Sequence, residues 1–426
     1  MSLGVLVILA FFALFVLGVP VAFAILLPAI AYILWEAIPL ATVAQRTLYA
    51  LDSFPLVAVP VFIFVGNLMN AAGITEKLFR FAEVLVGRLY GGLAQVNIFA
   101  SLIFSGVSGA ALADVGGLGR IEIKAMRDRG FPLPFAAAVT GASAIVGPIF
   151  PPSIPIIIYA SVTSVSALQM LIAGIVPALV CVAMLMIAVA LIAGRTGMPR
   201  AGRWPTLGEL WLAFGPAAPA LFAPVILIGG MLSGSFTPTE ASAVAVVYVL
   251  GIGLFYYRAM NWAFIRTASV ETVRSTAAIL FIVAAASMLG WILAVEQVPQ
   301  VVSAWFADLT TNPYMMLAIV NLIFFLAGMF IDSTTATLLL VPIIAPPVVA
   351  AGVDPVHLGI VVIFNLMIGT VTPPFGLSLF LLCNMTGLGF AQLVRAMVPL
   401  YPPLLMTLFL LTVFPEFSLF LPGMLR

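Results

Sequence analysis

Residues 145–152, Ile145-Val146-Gly147-Pro148-Ile149-Phe150-Pro151-Pro152, interrupt a long apolar run with one glycine and three prolines. The same punctuation returns 222 positions later, in Met367-Ile368-Gly369-Thr370-Val371-Thr372-Pro373-Pro374. A proline pair cannot sit quietly inside a helix, because each proline lacks an amide N–H and its ring clashes with the preceding turn. In hydrocarbon, the carbonyls and amides released by such a break must face protein, water or a bound ion. Two landmarks lie at nearly the same offset. Asn97-Ile98-Phe99 matches Asn321-Leu322-Ile323 at 224, which sets Ser108 opposite Asp332, and Pro20 matches Pro238 at 218. The agreement predicts an internal duplication with a broken helix in each copy.

The surrounding composition places both copies in a membrane. Hydrophobic residues make up 64% of the 426 residues and charged residues only 7%, against about a quarter charged in a soluble domain. From Gly130 to Gly194 there is no charged residue at all, and about 20 apolar residues suffice for one crossing. The N-terminus is apolar from Leu3, with no basic residue before Arg46. It lacks the charged leader of a cleaved signal peptide and is expected to stay as a membrane segment.

Composition also excludes chemistry. The only lysines, Lys77 and Lys124, follow Glu76 and Ile123, so there is no Gly-Lys-Ser/Thr phosphate loop. The single histidine, His357, removes paired-histidine zinc and haem ligation. Cys181 and Cys383 lie in apolar segments and are expected to pack. A net charge of +1 makes no case for nucleic acid. No enzyme and no cofactor are expected.

Punctuation by Pro, Gly and charge gives the expected architecture, an all-α polytopic membrane protein of two repeats. The first repeat, residues 1–210, holds scaffold helices, an amphipathic arm at 75–89, a hairpin at 91–127 and a broken helix at 131–160. Glu76, Arg80 and Glu83 share one face of that arm, with Phe79, Leu85 and Val86 offered to lipid. The second repeat, residues 211–426, holds scaffold helices, arms at 262–274 and around Glu296 and Asp308, a hairpin at 315–350 and a broken helix at 356–382. Each repeat has an odd number of further spans, so the second copy must be inverted. Placing 75–89 inside puts fourteen of the sixteen Lys and Arg residues in cytoplasmic loops, leaving Arg46 and Arg426 outside, as the positive-inside rule asks. Hence the hairpin at 91–127 is the inner one and that at 315–350 the outer one.

Inverted repeats with broken helices are how secondary transporters build a midplane site. The first pair of breaks offers Ser105, Ser108 and Ser143 beside Gly106, Gly109 and Gly147; the second offers Asp332, Ser333, Thr334, Thr335, Thr370 and Thr372 beside Gly328 and Gly369. Hydroxyls, backbone carbonyls and one carboxylate suit sodium, while hairpin-tip amides suit an anion. The competing reading is small-residue helix packing, and four breaks related by one duplication favour the site. Asp332 lies in an apolar stretch where a carboxylate costs about 3 kcal/mol, so function is the default, as ion ligand or in proton coupling. Asp114 is read equally as a cap or interhelical hydrogen bond and as a functional group. Glu240 after Thr237-Pro238-Thr239 reads as a capping charge, and His357 as a polar helix end. An aspartyl protease would need two adjacent carboxylates, which the inverted map separates.

These motifs have a resemblance. Leu51-Asp52-Ser53-Phe54-Pro55, Gly66-Asn67-Leu68-Met69-Asn70, Ser105-Gly106-Val107-Ser108-Gly109 and Gly147-Pro148-Ile149-Phe150-Pro151-Pro152-Ser153 resemble the large membrane subunit of tripartite ATP-independent periplasmic (TRAP) transporters. So do Phe236-Thr237-Pro238-Thr239-Glu240-Ala241 and Asn365-Leu366-Met367-Ile368-Gly369 with Thr372-Pro373-Pro374. The resemblance spans essentially the whole chain. It implies an elevator-type, sodium-driven importer of the ion-transporter superfamily, in the bacterial inner membrane. The cargo would be a small organic acid: a dicarboxylate, a keto acid or an acidic sugar. Its partners would be a small four-helix membrane subunit and a periplasmic substrate-binding protein. By this similarity sodium falls at Ser105, Ser108, Gly109, Ser143 and Gly147, and at Gly328, Asp332, Thr335, Gly369 and Thr372. Substrate falls at Gly106, Ser153, Ser333, Thr334 and Pro373. The alternatives are a stand-alone sodium–dicarboxylate symporter and a passive channel.

Overall fold

The computed structural model describes residues 3–71, 74–109, 111–200, 203–310 and 312–424; the side chains of residues 71, 107, 108, 112, 113 and 307 are outside the description. Arg426, expected outside the membrane, falls beyond the described residues. All regular structure among the described residues is helical.

Three helices open the chain: α1 (Leu3–Val16), α2 (Val21–Trp35) and α3 (Ala41–Leu51). The next, α4 (Phe54–Ala71), leaves α3 at 61°, since Pro55 cannot continue the preceding helix. After it comes α5 (Ile74–Val86), the amphipathic arm. One face of α5 is more deeply covered than the sequence suggests: Phe79, expected to meet lipid, is buried with Ile74, Leu78 and Ala82. The reason is that α5 packs against both α6 (Leu93–Ser108) and the later helix α13 (Leu207–Leu232).

The first hairpin consists of α6, α7 (Ala111–Gly116) and α8 (Leu118–Asp128). Next come α9 (Leu133–Ser143), a 3₁₀ turn at Ala144–Val146, the break, and α10 (Ile154–Thr163), followed by α11 (Ala167–Ala173) and α12 (Ile175–Thr196). Ser153 caps α10, its hydroxyl accepting from Ile156 N at 3.2 Å.

In the second half, α13 contains Pro216, Pro219 and Pro224. Proline at 219 leaves the carbonyl of Gly215 without its helical donor, and Tyr256 Oη donates to that oxygen at 3.3 Å. Helix α14 (Pro238–Gly251) begins with a capping box in which Thr237 and Glu240 satisfy each other's backbone amides. Next are α15 (Trp262–Val295) and α16 (Val298–Leu309). Here the expected arm at 262–274 is corrected. It is the first part of one uninterrupted 34-residue helix. Arg266, Glu271 and Arg274 suggest a separate surface segment, but no proline interrupts 262–295, so the hydrogen-bond ladder carries through.

The second hairpin pairs α17 (Pro313–Phe330) with α18 (Ser333–Ala350), and α19 (Pro355–Thr370) is separated by a break from α20 (Leu377–Thr386). The chain closes with α21 (Phe390–Met397), α22 (Tyr401–Val413) and α23 (Glu416–Gly423). Helix α19 continues through Gly369 and Thr370, so the second interruption starts at Val371, two residues later than the motif suggests.

Packing sorts these helices into two groups. Helices α1–α5 and α13–α15 pack mainly on one another, through α4 against α14 and α15 and through α2 and α3 against α15, while α16 lies between α15 and α18. The hairpins, broken helices and α11, α12 and α21–α23 form the other group, through α17 on α19, α12 on α22 and α21 on α9. The groups meet where α6 lies on α4 and α5, and where α18 lies on α15 and α16. Among the described residues seven helical spans are long and apolar enough to cross a membrane, or eight if α3 and α4 form one bent span.

Candidate functional site

Each broken helix is pinned to its hairpin by one polar knot and one close backbone approach. In the first knot, Asn97 on α6 donates through Nδ2 to Thr140 Oγ1 at 2.7 Å and accepts from Ser143 Oγ at 2.8 Å. Ser101 Oγ donates to Ser143 Oγ at 3.1 Å. All four residues are buried, where a satisfied network fixes one arrangement of two apolar helices. In the second knot, Asn365 Nδ2 on α19 donates to the carbonyl of Asn321 at 2.7 Å and to Asn321 Oδ1 at 2.9 Å. Asn321 Nδ2 then donates to Thr412 Oγ1 on α22 at 2.9 Å. Asn97 and Asn321 are the sequence landmarks at offset 224, and Ser143 and Asn365 stand 222 apart. The knots therefore repeat with the motifs.

At the first tip, Gly109 ends α6 in the left-handed conformation, φ 62°. A Cβ built there would lie 2.4 Å from the carbonyl oxygen of Pro152. Glycine is thus required twice, for its φ and for its contact with the break. The Gly109 carbonyl accepts from Ile154 N at 3.4 Å, and the Pro151–Pro152 bond is cis. Ser105 Oγ turns back to the Leu102 carbonyl at 2.7 Å, and Ser153 Oγ donates to the Pro148 carbonyl. A Cβ on Gly106 would meet Pro224 Cγ at 2.7 Å, so this tip abuts α13. Ser105, Gly106, Gly109, Ser143, Gly147, Pro151, Pro152 and Ser153 are all buried. The backbone of Ser108 closes α6, while its side chain is outside the description.

The second tip is built alike but lies open. Helices α17 and α19 touch through Gly328 and Gly369, where a Cβ on Gly369 would come within 2.4 Å of the Gly328 carbonyl carbon. The Met329 carbonyl accepts from Gly376 N at 3.1 Å, tying hairpin to break, and Pro373–Pro374 is again cis. Asp332 caps α18: Oδ1 accepts from Thr335 N at 3.1 Å and Oδ2 from Thr335 Oγ1. Thr372 Oγ1 turns to the Ile368 carbonyl and Thr370 Oγ1 to the Met367 carbonyl, each at 2.7 Å. Asp332, Ser333, Thr334, Thr372 and Pro373 are half-buried, and Pro374 and Phe375 exposed.

The structure thus collects the ion-site residues expected from sequence into two clusters, one per half. The clusters share a core: α10 packs on α18 and α19, and a Cβ at Gly141 of α9 would touch Leu382 of α20 at 2.8 Å. The described hydroxyls of these clusters, on Ser105, Ser143, Thr335 and Thr372, each direct the proton to a protein acceptor, leaving lone pairs available to a cation. No group of three or more His, Cys, Asp or Glu side chains able to hold a metal occurs among the described residues. The donor set is one of oxygens, suited to a hard monovalent ion. The asparagines and threonines of the knots, Asn97, Thr140, Asn321, Asn365 and Thr412, were not singled out as site residues. Their signal is the recurrence of Asn97 and Asn321 at a spacing of 224 residues.

Comparison with known proteins agrees with this architecture. Residues 8–417 match the family model of the tripartite ATP-independent periplasmic transporter, DctM component. The chain is 43% identical over 409 residues to the sialic acid TRAP transporter large permease protein SiaM of Vibrio cholerae, covering 95% of each. It is 35% identical over 398 residues to the C4-dicarboxylate TRAP transporter large permease protein DctM of Pseudomonas aeruginosa, covering 93% of each. In fold it is similar to the YdaH transporter of Alcanivorax borkumensis, with a TM-score of 0.61, 17% identity and 88% of each chain covered. A polytopic membrane chain with paired broken helices, matched by that family model over nearly all of its length, belongs to the DctM-component family of TRAP transporters: it is a large permease subunit of the inner membrane and not an enzyme.

Proposed function

We propose that this chain is the sodium-driven translocation subunit of an importer for a small organic acid. The acid is captured by a periplasmic binding protein and passed to a permease completed by a small membrane subunit. The observation that carries the reading is the pair of hairpin tips, each held against a broken helix by a glycine contact and each lined by hydroxyl, carbonyl and, at Asp332, carboxylate oxygens. One sodium ion would sit at Ser105, Ser108, Gly109, Ser143 and Gly147. A second would sit at Gly328, Asp332, Thr335, Gly369 and Thr372. The substrate carboxylate would lie between them, near Gly106, Ser153, Ser333, Thr334 and Pro373, neutralised by the two cations and by tip amides.

The division into two packing groups supports an elevator movement, in which the core bearing both tips slides along α1–α5 and α13–α15 while the repeats stand inverted in the bilayer. Energetically, two sodium ions with a monoanion move one positive charge inward, and each charge through 100 mV is worth about 2.3 kcal/mol. Among the candidate acids an acidic sugar comes first, since the relative whose name specifies sialic acid is the more similar of the two permeases compared.

Reconstitution with both partners tests the reading. Uptake of sialic acid should require an inward sodium gradient and the binding protein, and should saturate. Uptake that is as fast without the binding protein would indicate a stand-alone symporter. Flux that ignores sodium and does not saturate would indicate a channel, and either result overturns the proposal.

A further inference from the structure

Behind the first tip lies a second polar centre that neither ion cluster uses. Asp114 on α7 and Glu122 on α8 are 2% and 0% exposed, and none of their four carboxylate oxygens has a hydrogen-bond partner. The helices that carry them, α7 and α8, pack on each other. The neighbouring hydroxyl is that of Ser101 on α6, which comes close to Asp114 and donates to Ser143 Oγ at 3.1 Å.

No basic side chain compensates. Among the described residues the ion pairs are Arg129–Glu83 and Arg203–Glu209. The helices packed on α7 and α8 are α5, α6, α9, α20 and the 3₁₀ turn after α9. Helices α6 and α9 and that turn carry no ionisable residue, α20 carries only Cys383, and α5 carries Glu76, Lys77, Arg80 and Glu83. On α8 itself Arg120, Lys124, Arg127 and Asp128 are exposed, facing away from the pair. Two unpaired carboxylates walled off from water are among the most costly arrangements in a protein interior, and such groups in membrane proteins persist for function.

A way in exists. A cavity of about 360 Å³ lies between the two packing groups, lined by Asn67, Asn70, Thr75 and Glu76 on one side and by Gly116 and Gly117 on the other. Gly116 and Gly117 are the turn that joins the helix of Asp114 to the helix of Glu122. The cavity thus borders the turn between the two carboxylate-bearing helices, with one exposed carboxylate, Glu76, at its side.

We propose that Asp114 and Glu122 form a cation site of their own, taking one monovalent cation, H⁺ or Na⁺, through the cleft cavity. It goes beyond the two-sodium reading and stands or falls without it, because it concerns equilibrium binding and not transport.

Infrared difference spectra of the full chain in lipid nanodiscs test it, recorded across a pH step at constant sodium and a sodium step at constant pH. The expected result is a carboxyl band that changes in one of the two steps. A response to pH alone identifies the proton and a response to sodium alone identifies sodium. The band should vanish in the double variant Asp114→Asn with Glu122→Gln and remain in Asp332→Asn. If the double variant does not fold, Asp114→Glu and Glu122→Asp keep a carboxyl and should each displace the band. A wild-type spectrum silent in both steps overturns the proposal, as does a band that neither the double variant nor the conservative variants alter.

Discussion

The two hairpin tips share a construction and differ in chemistry and exposure. At the first, a left-handed glycine presses on the Pro152 carbonyl, the polar groups are hydroxyls and carbonyls, and every described residue from Ser105 through Ser153 named in the cluster is buried. At the second, two glycines bring helix backbones together, a carboxylate caps the returning helix, and Asp332 through Thr334 are half open. The two tips thus share a backbone device, which only glycine and proline can supply. The side chains differ, and one tip is sealed while the other is accessible. An importer of the proposed kind needs such an inequality, because both tips open at once would leave a continuous leak.

The largest effect is expected where both tips depend on glycine. Gly369→Val would drive its Cβ into the Gly328 backbone at 2.4 Å, and overpacking of a rigid contact costs about 1–3 kcal/mol or more. Sodium-dependent uptake should fall to background. Gly109→Ala should do the same at the sealed tip, since the site has both φ 62° and the Pro152 carbonyl against it. Gly290→Ala, with nothing within 4 Å, is the control and should retain uptake. If Gly109→Ala transports with normal sodium dependence, the first tip is no ion site and the symmetry of function is broken.

Next in size is the contrast between carboxylate and hydroxyl. A ligand that binds only the folded state stabilises it by about 2.7 kcal/mol at a hundred times its dissociation constant. Sodium should raise the melting temperature of the wild-type chain. Asp332→Asn should abolish most of that rise, because the charge-assisted contact is worth about 1.5–3 kcal/mol. Ser143→Ala should weaken sodium less but lower the stability itself by about 1–3 kcal/mol, by leaving Asn97 Oδ1 without its donor. Equal sodium responses in the two variants would erase the distinction.

Exposure can be read directly. In a chain with Cys181 and Cys383 replaced, Ser333→Cys should react quickly with a water-soluble thiol reagent and Ser153→Cys slowly. Saturating sodium with substrate should slow the first. A Ser153→Cys variant that labels as fast as Ser333→Cys would show that the sealed tip opens freely.

How much of this was visible in the sequence follows from which residues are geometrically irreplaceable. Pro151-Pro152 and Pro373-Pro374 announce breaks wherever they fall in a helix, and they located both interruptions to within two residues. The bend between α3 and α4 was legible for the same reason, through Pro55. The continuity of α15 was not, because charge at Arg266, Glu271 and Arg274 suggests a surface arm while helix continuation depends on an unbroken ladder. Burial of Phe79 was hidden because the partners that cover α5 include a helix more than a hundred residues away. The knots escaped because each is assembled from single polar residues in separate apolar runs, such as Asn321, Asn365 and Thr412. The sealed and open states of the tips depend on how the two packing groups meet, which no local motif records.

The smallest expected effect concerns how the breaks are fastened. The second is held from outside its own hairpin: Tyr401 Oη on α22 donates to the Val371 carbonyl at 2.9 Å. At the first, Phe150 N and Ser153 Oγ serve the carbonyls of Val146 and Pro148 from within the break. Tyr401→Phe removes one neutral hydrogen bond and little volume, worth about 0.5–1.5 kcal/mol. It should raise the half-saturating sodium concentration severalfold, about tenfold at most for 1.4 kcal/mol, with protein yield and maximal uptake preserved. The effect should disappear in an Asp332→Asn background, because the hydroxyl acts only by steadying the carbonyls beside that carboxylate. An effect of equal size in both backgrounds would place the tyrosine's influence elsewhere, and the open tip would then owe its geometry to Gly328 and Gly369 alone.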